Sequence, residues 1–297
     1  MKEALIIAIR LLALTALHFI CFAGVSAALL PLPPEQPESA QSGAVLAALL
    51  AVSFLNTAVV AYVILRSRWG GWKLMLVIFV AFYGVMTVMP QIETAYFVTR
   101  LPPGMLPRLF LSGAVIAALF APLAVLILGK RKPDRAEEEI HPRLVMPAGE
   151  WVGKLSLIVI AYVAVYFTFG YFIAWQSAAV RAYYSGSDPG SFLAQMSSVV
   201  RDTPSLLLLQ AARAIMWAAI ALPVIRMMKG QWWEAGLAVG LLFAVASSQL
   251  LLPNPLMPWE VRMVHLLETA SSNFLFGWLL VLVLRGRRPS GSKPARL

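Results

Sequence analysis

The segment Arg262–Phe274, RMVHLLETASSNF, puts an arginine, a histidine, a glutamate and an asparagine into a stretch of membrane length. At about 100° per residue, Arg262, His265, Glu268, Thr269, Ser272 and Asn273 share one sector of about 140° on a helix. Such a face is strongly unfavourable against lipid, so it must look into a helix bundle. His265 and Glu268 stand at i and i+3, a spacing that joins a proton carrier to a carboxylate. The same spacing supplies two ligands in helical-bundle metal sites, but those need a second histidine-bearing helix. Only His18 offers one, so neither a metal nor another cofactor is expected. His141 lies in a loop, which gives a bis-histidine haem the same weakness.

Depth suggests a partner for the glutamate. Glu268 follows Pro258 by ten residues and Arg213 follows Pro204 by nine, on spans running in the same direction. Both therefore sit about 15 Å along their helices, and a Glu268–Arg213 ion pair with Gln210 beside the arginine is the expected arrangement. Asn56, mid-span, joins this network or bonds to its own backbone. Glu93 follows Pro90 and reads as a span end, in a polar vestibule with Asn254 and Arg262. His18, Tyr162 and Tyr166 read as packing residues. Glu-Thr-Ala occurs at both Glu93 and Glu268, but an alignment of the two halves of the chain does not superpose the triplets.

These residues need an apolar frame, and the composition supplies one. Hydrophobic residues make up 60% and charged residues 13% of the 297, far from soluble norms. The expected fold is all-α, a polytopic membrane protein with eight transmembrane helices: Ala4–Leu30, Ala44–Leu65, Leu74–Met89, Leu109–Leu128, Leu155–Gln176, Ser205–Ile225, Ala235–Leu252 and Val261–Leu284. The first resembles a signal peptide in length and in Val25-Ser26-Ala27, but Arg10 interrupts it and it reads as retained. The net charge of +10 is concentrated in alternate connections, which excludes a nucleic-acid reading and favours anionic headgroups. By the positive-inside rule both termini are cytoplasmic, in a bacterial-type inner membrane. Cys21, the single cysteine, excludes an internal disulfide.

Internal similarity points to two halves in parallel. Arg66-x-x-x-Gly70-x-Trp72 recurs as Arg226-x-x-x-Gly230-x-Trp232, and LAVLILGKRKP from Leu123 returns as LLVLVLRGRRP from Leu279. The expected organisation is a four-span half over 1–128, a linker over 129–154, a second half over 155–284 and a basic tail over 285–297. Between the fifth and sixth spans, Ser191–Val200 has helical apolar spacing and reads as a surface helix, with Asp202-Thr203-Pro204 starting the next span. Gly236-x-x-x-Gly240 reads as a close helix contact. Hydrolase, nucleotide and zinc-peptidase signatures are absent. Three functions fit: a transporter or permease binding a small solute, ion or lipid between the halves; a membrane-embedded enzyme acting on an outer-leaflet lipid; and a non-catalytic membrane partner. Membrane lipids are the expected partners in each.

Overall fold

A computed structural model describes residues 2–30, 42–98, 101–133, 144–184, 186, 188, 190–253 and 257–285. Among them are eight helices long and apolar enough to cross a membrane: Glu3–Leu29, Gly43–Leu65, Gly71–Phe97, Met105–Ile127, Ala148–Ala174, Pro204–Met227, Trp232–Leu251 and Trp259–Leu284. They are the first to eighth spans below. Two short helices, Ala178–Tyr183 and Phe192–Asp202, lie between the fifth and sixth. The second has its N-terminus capped by Ser191 and stacks Phe192 on Phe172 of the fifth span. Asn254, Arg100, His141 and the basic tail from residue 286 lie outside the described residues.

Helix packing is patterned. The first span packs on the second and fourth, and the third on the fourth; the fifth packs on the sixth and eighth, and the seventh on the eighth. The second span meets the seventh, and the third meets the sixth. Glycine sets the closest approach. A Cβ at Gly277 would lie 2.8 Å from the Cα of Gly240, so the seventh and eighth spans touch backbone to backbone. At the end of the bundle nearest the termini, the two Arg-x-x-x-Gly-x-Trp connections lie against each other. Ser67 and Met228 form an antiparallel bridge, Arg68 N donates to Met227 O and Lys229 N to Arg66 O, and Arg66 pairs with Glu234.

Three spans leave α geometry towards the distal end, away from the termini. The third makes a π-turn at Gly84–Val88, the fifth another at Gly170–Ala174, and the seventh ends in a 3₁₀ segment at Ala246–Leu251. The third span therefore continues past Pro90 to Phe97, eight residues beyond the expected end at Met89. Pro90 has no N–H to donate, so the carbonyl four residues earlier, Met86 O, loses its helical partner. Gln249 of the seventh span replaces it, its Nε2 donating to Met86 O at 2.7 Å. A side chain from another helix thus stabilises a proline inside a span, as membrane helices require.

Candidate functional site

Glu93 on the third span pairs with Arg213 on the sixth, and Arg213 Nη1 also donates to Gln210 Oε1 at 2.8 Å. Tyr162 of the fifth span faces the guanidinium, its ring centre 5.8 Å from Cζ, and accepts at its hydroxyl from Trp217 Nε1 at 3.3 Å. Arg213 and Gln210 are buried. Arg213 Nε and Gln210 Nε2 are buried donors with no hydrogen-bond partner among the described residues. A guanidinium with one free N–H beside a free amide presents two donors to an oxygen acceptor.

On the eighth span, His265 Nδ1 donates to Glu268 Oε2 at 2.8 Å. Nε2 meets the hydroxyl of Tyr184, just beyond the short helix Ala178–Tyr183, at 3.4 Å, and is an acceptor there when the imidazole is neutral. Burial, and then the neighbouring Tyr183, Glu93 and Glu268, hold the Tyr184 phenol well above its ordinary range. Glu268 also reaches the fifth span at its π-turn, where a Cβ on Gly170 would stand 3.9 Å from Oε1. Tyr162 and Tyr166 are each within electrostatic range of Glu93, Arg213 and Glu268. The two carboxylates therefore belong to one polar region, bridged by the tyrosines of the fifth span.

The expected Glu268–Arg213 pair is not formed, and the reason is packing. The fifth span packs on both the sixth and the eighth, and its Tyr162 touches Arg213 on one side and Phe276 on the other, with ring centres 4.7 Å apart. Equal depth along two helices does not make partners of two side chains when another carboxylate, Glu93, already faces the cation. Glu93 is not a solvated helix end either, because the third span carries it inside the bundle against the sixth. Arg262 is buried and turned to backbone. It donates to Leu250 O at 3.1 Å and to Leu252 O, and lies over the Trp259 ring at 5.3 Å. It caps carbonyls at the 3₁₀ end of the seventh span rather than lining a vestibule with Glu93.

Asn56 bonds to its own helix backbone and to a neighbouring span, and does not join the charged network. Its Nδ2 donates to Val52 O at 2.9 Å and to Ser248 Oγ of the seventh span at 3.2 Å. It joins the second span to the seventh, away from the charged region. Asn273 is half-buried, over a turn beyond Glu268. Sequence reasoning missed Tyr184 and undervalued Tyr162 and Tyr166. The only available signal was their position on the span and loop facing two glutamates. Groups of three or more His, Cys, Asp or Glu side chains able to hold a metal are absent among the described residues. Compared with protein-family models, curated proteins and solved structures, the chain matches none.

Proposed function

We propose that this is a transporter- or permease-like protein of the inner membrane, with both termini cytoplasmic, that binds a small solute, ion or lipid headgroup between two parallel four-span halves. The repeat is supported by the packing: adding four to each span number in the first half reproduces the second, and the second–seventh contact becomes the sixth–third. The two repeated connections also pair with each other, as they should about an axis along the membrane normal.

The observation that carries the reading is the Glu93–Arg213 pair. It joins the third span to the sixth, one from each half, just after a π-turn in the third span and beside two donors without a partner among the described residues. Transporters concentrate charge and irregular backbone at such an interface. Arg213 and Gln210 then offer N–H groups to an acceptor oxygen of the solute, and Glu93 holds the guanidinium while it is unloaded. Spin labels at Tyr96 and Ser205, whose hydroxyls meet across this interface at 2.9 Å, test it in a Cys21→Ala background. Two distance populations in lipid nanodiscs are expected. A single narrow distribution that stays unchanged in Glu93→Gln would refute it.

One observation favours an enzyme instead. Tyr184, His265 and Glu268 form a chain in which an imidazole is oriented by a carboxylate and faces a hydroxyl. In that reading His265 is the general base, Glu268 orients it, and Arg262, occupied by carbonyls, holds no headgroup. Mass spectrometry of phosphatidylethanolamine–phosphatidylglycerol vesicles holding wild-type protein or His265→Ala decides it. Products formed only by the wild type would establish the enzyme.

A further inference from the structure

A cavity separate from the charged region opens between the distal ends of the first, third and fourth spans. It is a small, partly open cavity of about 90 Å³. Its polar lining is His18, Ser26, Thr87, Gln91, Ser112 and Gln249, and no charged side chain lines it among the described residues. His18 is 1% exposed, and its Nδ1 is engaged by Ser53 Oγ at 3.1 Å. Its Nε2 is buried with no hydrogen-bond partner among the described residues, and so is Gln91 Oε1. An imidazole among the rings of Phe22, Phe82 and Phe120 would pack as well if it were a phenyl. Packing therefore does not account for its second nitrogen, nor does the Ser53 bond.

The two orphan atoms define the ligand. Gln91 Oε1 requires a donor, whereas His18 Nε2 takes a donor or an acceptor according to its tautomer. A fully ionised anion has no hydrogen for Gln91 and meets no cation among the described lining residues; a cation meets no carboxylate among them. A hydroxyl serves both atoms. The lining includes Leu30, after the last turn of the first span, and Leu109, in the first turns of the fourth. The first span is the least covered of the eight, so whatever leaves the cavity along it meets lipid. We propose that this cavity binds the uncharged, hydroxyl-bearing head of an amphiphile, its chain lying along the first span.

The test is native mass spectrometry of the full-length protein in detergent, with three probes: 1,2-dioctanoylglycerol, dioctanoyl phosphatidic acid and glycerol. One retained dioctanoylglycerol per chain is expected, not competed by glycerol and preferred over the phosphatidic acid at least tenfold. His18→Phe and Gln91→Met should each weaken retention about tenfold, the value of one hydrogen bond in a membrane interior. Their melting temperatures should stay within a few degrees of the wild type. If His18→Phe fails to fold, Gln91→Met still decides. Equal retention by wild type and Gln91→Met, preference for the phosphatidic acid, displacement by glycerol, or no retained probe would each overturn the proposal. None of these outcomes depends on Glu93 or Arg213, so the site fails or stands independently of the transport reading.

Discussion

Replacing Glu93 by leucine leaves Arg213 as a buried cation that keeps only Gln210 and the face of Tyr162. Breaking a buried ion pair from one side typically costs about 3–5 kcal/mol. The Glu93 side chain is 31% exposed against 5% for Arg213, so solvent offsets part of that, and about 2–4 kcal/mol is expected. The reverse change, Arg213→Leu, strands the more exposed partner and should cost less, about 1–2 kcal/mol. In the double variant both charges are gone and two leucines suit the environment, so stability should return to within about 1 kcal/mol of the wild type. The asymmetry between the single variants is the informative part, since it follows from which partner can reach water.

Thermal unfolding of the four proteins in one detergent reads this out. At roughly 2–4 °C per kcal/mol for a chain somewhat smaller than this one, Glu93→Leu should melt several degrees lower and the double variant should recover most of the loss. The parallel cycle with Glu268→Leu and Arg213→Leu should be additive within about 0.5 kcal/mol, because Arg213 is paired with Glu93 instead. An additive Glu93 cycle, or strong coupling in the Glu268 cycle, would refute the pairing and with it the interface between the halves.

Cysteines at Ser191 and Gly149, introduced into Cys21→Ala, should react oppositely with an impermeant thiol reagent on intact cells, the first labelled and the second not; labelling of Gly149→Cys overturns the orientation. Gly277→Val should be among the most destabilising single changes, by about 1–3 kcal/mol or more, since its first carbon already meets Gly240 Cα at 2.8 Å; a melting temperature equal to the wild type would contradict that contact. The Tyr184 phenol is held protonated by burial and by nearby carboxylates, so its raised pKa contributes stability below the ordinary tyrosine value of about 10, and this is lost as pH climbs through the folded value. Tyr184→Phe should therefore flatten the alkaline end of the stability–pH curve, and an unchanged curve would place the phenol in water. Asn56→Leu should cost no more than about 1–2 kcal/mol, because one amide oxygen already lacks a partner; a larger loss would mean that Oδ1 is bonded in the folded protein.

The eight spans were legible because hydrocarbon sets a minimum apolar length, and composition reports that directly. Most boundaries fell within a few residues of expectation, and the exceptions have physical causes. Pro90 suggested an end to the third span, but Gln249 sits 159 positions away in sequence and no local pattern announces that it will serve Met86 O. The inward face of the eighth span was also legible, since a one-dimensional angle suffices for it: Glu268 and Ser272 are buried and Leu267 is exposed. Partners were not legible. Glu268 and Glu93 stand at similar disadvantage in lipid, and depth alone cannot say which faces Arg213. That depends on which helices are adjacent: Gly236-x-x-x-Gly240 announced a close contact but not its partner at Gly277, and no periodicity reveals the π-turns.

In the proposed reading the two halves are alike in helix arrangement and unlike in chemistry, which constrains the mechanism. At the third–sixth contact stand a glutamate and an arginine; at the corresponding second–seventh contact stand Asn56 and Ser248, both neutral. If the halves rock against each other, the neutral contact has little electrostatic free energy to lose and can act as a hinge. The charged contact is the one whose separation must be compensated. A ligand bringing an acceptor oxygen to Arg213 supplies that compensation at the moment Glu93 withdraws. The rate of opening at the Tyr96–Ser205 gap should then rise with Glu93→Gln and be insensitive to Ser248→Ala, measured as single-molecule distance changes between fluorophores at Tyr96→Cys and Ser205→Cys in a Cys21→Ala background. Equal acceleration by both changes would mean that the two interfaces open together, and the hinge assignment would fall.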